Sequence, residues 1–182
     1  MSDKKFRVGI IGADTHASWA GASHIPALQA QPGLVLAAVA TRREQSAKAA
    51  AEAFGAAQWF ADPYAMIADE TIDVITVAVK VPAHKDLVLA ALAAGKAVYS
   101  ESPLGATVAE TEEMATAAKG LHTAIGLQGR HILPPAALPK WWRPESSGGC
   151  YRPALAQPRS AMVRNLPALT TISTSWLLAP AS

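Results

Sequence analysis

A chain of 182 residues is long enough for one domain with a real core and hardly for two. Hydrophobic residues make up 51% and charged residues 16%, as in a well-buried globular protein, and the net charge of +2 is too small to argue for nucleic acid or an anionic membrane. No apolar run approaches the ~18 residues that span a bilayer, and Cys150, the single cysteine, excludes an internal disulfide framework.

The opening "MSDKKFRVGII" offers only a strand-length apolar stretch, so no signal peptide is expected and the cytoplasm is the default compartment. Phe6–Ile11 reads as a strand running into Gly12. Residues 19–30 have helical composition, with Pro26 predicting a kink or a late start. Leu34–Ala40 is a buried strand, and Glu44–Phe54 an alanine-rich helix closed by Gly55. A short extended piece at Gln58–Phe60 and a helical turn from Pro63 follow. Residues 73–79, "DVITVAV", form a β-branched run of the kind buried on both faces. The pattern continues with a helix over 82–94 stopped by Gly95, a strand at 97–100, a helix over 108–119 ending at Gly120, and a strand at 122–127. Such alternation predicts an α/β fold, a doubly wound parallel sheet that binds ligands beyond the carboxyl ends of its strands.

The chain changes character after Arg130. Residues 131–182 hold eight of the thirteen prolines, five basic side chains and one acidic one, and no sustained period of 3.6 or 2. Two segments are therefore expected: 1–130, a ligand-binding domain, and 131–182, an irregular or disordered tail such as an out-of-frame reading would produce.

Three loops fall at the predicted carboxyl edge. In "GADTHASWA" Gly12 opens a turn that would let backbone N–H groups of Gly12 and Ala13 approach a phosphate, with Thr15 and Ser18 as donors and Trp19 starting the helix. Asp14 opposes an anion, by ~1 kcal/mol at ~4 Å in water, unless it forms an Asx-turn and points away, which is the reading adopted here. The second loop presents Thr41, Arg42 and Arg43 where a site for unphosphorylated ribose would carry an acid, so NADP(H) is favoured over NAD(H). The third comprises "VAVKVPAH" and, after the next helix, "SESPLG". No His/Cys cluster has metal-ligand spacing, and no metal is expected.

The third loop carries a resemblance. His84, the run Ala91-Leu92-Ala93-Ala94-Gly95-Lys96, and Glu101, Pro103 and Leu104 stand at the spacing found in the Gfo/Idh/MocA oxidoreductases, and "SHIPAL" and "IGLQGR" match as well. Residues 5–130 thus resemble the dinucleotide-binding Rossmann domain of that family, and the details look most like its galactose-regulon-repressor-like branch. The resemblance implies a sugar or polyol dehydrogenase class and a dinucleotide held by Gly12, Ala13, Asp14, Thr15, Ser18, Trp19, Thr41, Arg42, Arg43, Val79, Lys80, Val81, His84, Glu101, Ser102, Pro103 and Gln128. Ser102 occupies the place of the family's catalytic lysine, and a hydroxyl cannot supply its charge; Lys80 is a possible substitute, although a surface role competes. No catalytic residue is assigned. The family's substrate domain, with its oligomer contacts, has no counterpart after Arg130, so the chain alone is expected to bind cofactor without turnover. The alternative reading is a non-catalytic, cofactor-sensing regulator resembling the galactose repressor.

Overall fold

The computed structural model describes residues 5–16 and 18–127. The expected tail at 131–182, Gln128 and the boundary at Arg130 lie outside the described residues. Six strands, β1 (Phe6–Ile11), β2 (Leu34–Ala40), β3 (Gln58–Phe60), β4 (Val74–Val77), β5 (Ala97–Glu101) and β6 (Thr123–Gly126), form one sheet in the order β3-β2-β1-β4-β5-β6. Every pairing is parallel. This is the doubly wound sheet that the alternation predicts.

Five α-helices connect the strands: α1 (Ile25–Gln29), α2 (Glu44–Phe54), α3 (Pro63–Ala68), α4 (His84–Ala93) and α5 (Val108–Ala117). A π-helical turn, Ala20–His24, precedes α1, and its bond runs from the Ile25 N–H to the Ala20 carbonyl. Pro26 then falls in the first turn of α1, where its missing N–H costs nothing. The late start expected from Pro26 is what the chain adopts. Several element ends shift by one or two residues, and two of the shifts fall beside the carboxyl edge. The fourth strand stops at Val77 rather than running to 79, and the helix expected from 82 begins at His84 after a 3-10 turn, Val81–Ala83.

Alternation within the strands divides the core in two. On one face Val8 and Ile10 of β1, Leu36 and Val39 of β2 and Val74 of β4 pack under α1 and α2. On the other, Ile75 and Val77 of β4 and Val98 of β5 meet Met66 of α3, Leu87, Ala91 and Leu92 of α4 and Met114 of α5. Each such side chain stabilises the fold by roughly 1.5–3 kcal/mol. Asp62 caps α3 and Thr107 caps α5, each accepting a backbone N–H in the first turn.

The amino edge of the sheet is held by polar staples. Lys96, the last residue of the "ALAAGK" run, donates from Nζ to the carbonyls of Asp69 (2.7 Å) and Ile72 (2.8 Å), tying the start of β5 to the loop before β4. The Arg7 N–H donates to Asp73 Oδ2 at 2.8 Å, and its Nε to the Thr71 carbonyl at 2.7 Å. A cleft of about 470 Å³ lies at this edge, lined by Phe6, Asp73, Lys96 and His122 among others. It is at the opposite end of the strands from the loops that carry chemistry.

Because Lys96 is half-buried and serves two carbonyls, its loss removes two charge-assisted bonds worth about 1.5–3 kcal/mol each when fully formed. Lys96→Met should lower the stability of the folded domain by about 2 kcal/mol in urea unfolding while leaving the loops at the carboxyl edge untouched.

Candidate functional site

The chain runs outward from β1 to β2 and β3, then crosses back from β3 to β4 on the other side of β1 and continues outward to β5 and β6. The two sets of connections cover opposite faces, so a crevice opens between β1 and β4 at the carboxyl edge, where ligands of doubly wound sheets bind. Four loops converge there, following β2, β1, β4 and β5 in spatial order. At ~4.8 Å between strands, the row spans roughly 14 Å.

The loop after β1 begins with Gly12, whose φ of 97° and whose contact with the next strand leave no place for a side chain. A Cβ there would stand 2.4 Å from the carbonyl oxygen of Ala78. Glycine is required by that close approach. Ala13 is wholly buried and belongs to the apolar cluster under α1 and α2. Asp14 makes the Asx-turn: its Oδ1 accepts the His16 N–H at 2.8 Å, and the exposed His16 Nδ1 lies 3.4 Å from the same oxygen. Thr15 is exposed, with Oγ1 3.1 Å from His16 Nδ1. Ser18 Oγ donates to the Asp14 carbonyl at 2.6 Å and accepts the Gly21 N–H at 3.0 Å, which caps the π turn. Trp19 begins that turn with 39% of its surface exposed.

After β2, the Thr41 and Ser46 hydroxyls lie 2.6 Å apart and both reach the Arg43 carbonyl, at 3.0 and 2.9 Å, fixing the turn into α2. Arg42 and Arg43 stand exposed at the strand end, and neither has an ion-pair partner among the described residues. After β4, Val79 and Val81 are half-buried and Lys80 is exposed. After β5, Ser102 and Pro103 are exposed.

His84 is 1% exposed and sits inside this edge. Its Nε2 lies 3.0 Å from the Val79 carbonyl and its Nδ1 3.2 Å from the Leu104 carbonyl. Carbonyls only accept and a neutral ring carries one N–H, so it donates to one carbonyl and packs against the other, lying between the loop after β4 and the loop after β5. The sequence placed His84 beside a ligand or at a helix cap. The structure makes it a buried tie between two loops that flank the crevice.

One cluster was not foreseen. Tyr99 and Glu101 alternate onto the same face of β5, and His24 from the π turn packs edge-on against Tyr99 with ring centroids 5.2 Å apart. Nε2 of His24 is 2.5 Å from Oε1 of Glu101. Both atoms are buried, and they form a close polar pair. A Cβ on Gly126 would stand 2.6 Å from the Tyr99 hydroxyl and 2.9 Å from Glu101 Oε1, so β6 leaves room for both by lacking one. The signal available in sequence was "SHIPAL" together with glycine opposite Glu101, but it gave no partner.

The oxidoreductase family with an NAD-binding Rossmann fold, Gfo/Idh/MocA, matches residues 6–128. The chain belongs to that family. The 1,5-anhydro-D-fructose reductase of Ensifer adhaerens is 32% identical over 121 residues, 66% of this chain and 35% of that protein. The myo-inositol 2-dehydrogenase of Thermotoga maritima is 29% identical over 108 residues, 59% of this chain and 31% of the relative. A 3-ketoreductase of Actinomadura kijaniata, solved in complex with NADP, superposes with a TM-score of 0.65 at 30% identity, covering 70% of this chain and 40% of its own. The chain thus spans about a third of the length of the curated relatives it matches. As a Gfo/Idh/MocA domain it is NAD(P)-binding, and its relatives include sugar and polyol dehydrogenases. Among the described residues, no group of three or more His, Cys, Asp or Glu is placed to hold a metal, and no helix is long and apolar enough to cross a membrane.

Burial, and secondarily the Glu101 carboxylate, raise the Tyr99 phenol from 10.0 to about 12. A folded-state pKa above the unfolded value means that Tyr99's contribution to stability is complete below pH 10 and is lost as pH rises through 12. Chemical unfolding across pH 9–12 should show a decline that is shallower in Tyr99→Phe; an identical slope in that variant would mean that other groups cause it.

Proposed function

We propose that this domain holds NADP(H) in preference to NAD(H), as the cofactor unit of a sugar or polyol oxidoreductase. The observation that carries this is the pair of exposed arginines at the end of β2, without an ion-pair partner among the described residues. A guanidinium there suits a ribose 2′-phosphate. Along the crevice, the 2′-phosphate would meet Arg42 or Arg43 and the pyrophosphate the backbone of Gly12 and Ala13, with Thr15 and Ser18 alongside. The nicotinamide end would extend over Val79, Lys80, Val81 and the turn Glu101-Ser102-Pro103.

The residues present fit such a ligand. Gly12 brings backbone close to the crevice, and the Asp14 carboxylate, the one feature that opposes phosphate, is engaged by the His16 N–H. Bound there, the dinucleotide would supply a hydride donor or acceptor. The protein's share is to orient it and to place a substrate carbon against it, and that positioning can lower a barrier by ~7–11 kcal/mol. The described residues contain no second layer over Ser102 to hold a substrate, and Ser102 brings no charge. The described residues are therefore expected to bind the cofactor and not to transfer a hydride by themselves. The cofactor and the single cysteine both suit the cytoplasm.

Ser102 also favours a second reading, a cofactor-sensing regulator resembling the galactose-regulon repressor. Calorimetry combined with assays against sugars and polyols separates the two. Turnover by the chain supports the oxidoreductase and excludes the regulator, and absence of binding overturns both readings.

Arg42→Ala should weaken NADPH by about tenfold or more, the value of one charge-assisted contact, and leave NADH nearly unchanged. Equal affinities of the unmodified protein for the two dinucleotides would overturn the preference. Asp14→Asn keeps the acceptor for the His16 N–H and removes the charge. It should tighten both dinucleotides by about fivefold, from ~1 kcal/mol of relieved repulsion. Weaker binding would mean that the carboxylate itself is needed.

A further inference from the structure

His24 is 7% exposed, and the pair it makes joins segments 77 residues apart. Its partner's position gives that contact meaning. Glu101 is the last residue of β5, and the next residues, Ser102 and Pro103, are the exposed turn at the far end of the row of loops from Arg42. The Glu101 side chain is 12% exposed, lies against Gly126 of β6, and is met from above by His24. On the other face, the loop beyond Pro103 is fixed at Leu104 by His84. The turn is thus held from both sides of the sheet by buried imidazoles.

We infer that His24 is a positioning residue of the dinucleotide site: it fixes the Glu101 carboxylate, and through it the turn Glu101-Ser102-Pro103, against which the nicotinamide half of the cofactor rests. The inference rests on the cofactor reading above and goes beyond it by assigning the "SHIPAL" histidine a task. A ring-nitrogen lone pair facing a carboxylate oxygen this closely would be repelled, so the pair is favourable with the proton on Nε2. The donor comes from the π turn, whose first residues are capped by Ser18 of the phosphate loop. His24 therefore couples the phosphate end of the crevice to its nicotinamide end. It acts through Glu101 rather than by contact with the ligand, so its loss should be felt at one end of the cofactor only.

The full chain is titrated calorimetrically with NADPH and with adenosine 2′,5′-bisphosphate, which carries the 2′-phosphate but no nicotinamide. His24→Leu should weaken NADPH by about tenfold and leave the bisphosphate within about twofold, while His24→Gln, whose amide can still donate, should recover most of the loss. Glu101→Gln reports on the same contact from the other side and should reproduce the selective loss if His24→Leu fails to fold. Equal weakening of both ligands by His24→Leu would indicate a general structural role and overturn the inference, as would unchanged affinity for both. If the unmodified chain binds neither ligand, the cofactor reading itself fails, and this inference falls with it. Binding of both ligands by the unmodified chain, with no selectivity in the variants, overturns the inference alone.

Discussion

The pairing of β1 with β4 is the constraint on which the rest of this domain depends. It makes β1 central, with β2 and β3 on one side and β4, β5 and β6 on the other. Right-handed crossovers that run one way along the sheet from β1 to β3, and the other way from β3 to β6, must then cover opposite faces. α1 and α2 consequently pack with one cluster of buried residues, and α3, α4 and α5 with the other. The crevice is a by-product of that division. It exists because the connections switch faces at β1, not because any loop residue opens it.

Close approach at this seam explains the glycines that matter. Gly9 lies under Met66 and Ile72, where a Cβ would be 3.0 Å from the Met66 sulfur. Gly12 passes the Ala78 carbonyl, and the Ala78 N–H in turn donates to Ile11 at 2.9 Å. The first glycine of the nucleotide loop therefore answers first to packing between β1 and the segment after β4. This is also why Asp14 is compatible with the fold. The loop's path is set at Gly12, and the carboxylate two residues on is free to close an Asx-turn.

The strands were legible because burial on both faces leaves continuous apolar runs, as in "LVLAAVA" and "VITV". Helix ends were legible where a residue solves a local problem, such as Gly55 in the left-handed conformation behind α2. What escaped the sequence depends on partners distant along the chain. The π turn has no local signature, and Pro26 predicted only that something would start late. His24 and His84 look like surface or ligand histidines until Glu101 and the carbonyls of Val79 and Leu104 are brought to them. β4 stops early because, beyond Val77, the chain turns into the carboxyl-edge loop. Lys96 appeared in the sequence only as part of a family pattern, and its reason is the pair of carbonyls from a segment about 25 residues earlier. Of the residues proposed to hold a dinucleotide, the sequence placed the loops, while the surroundings of the individual side chains follow from burial that no spacing reveals.

The staples at the amino edge have a further meaning for how such a domain changes over time. Lys96, Arg7 and Asp73 secure the ends of the strands far from the crevice, and the two apolar clusters lie between. Folding therefore draws little on Asp14, Arg42, Lys80 or Ser102, all of which sit on the other rim. A substitution such as serine at the lysine position can alter chemistry without threatening the scaffold. The same separation ties the "AGK" pattern to folding and leaves the "ESP" turn clear of it, so the two halves of one family signature are free to diverge independently.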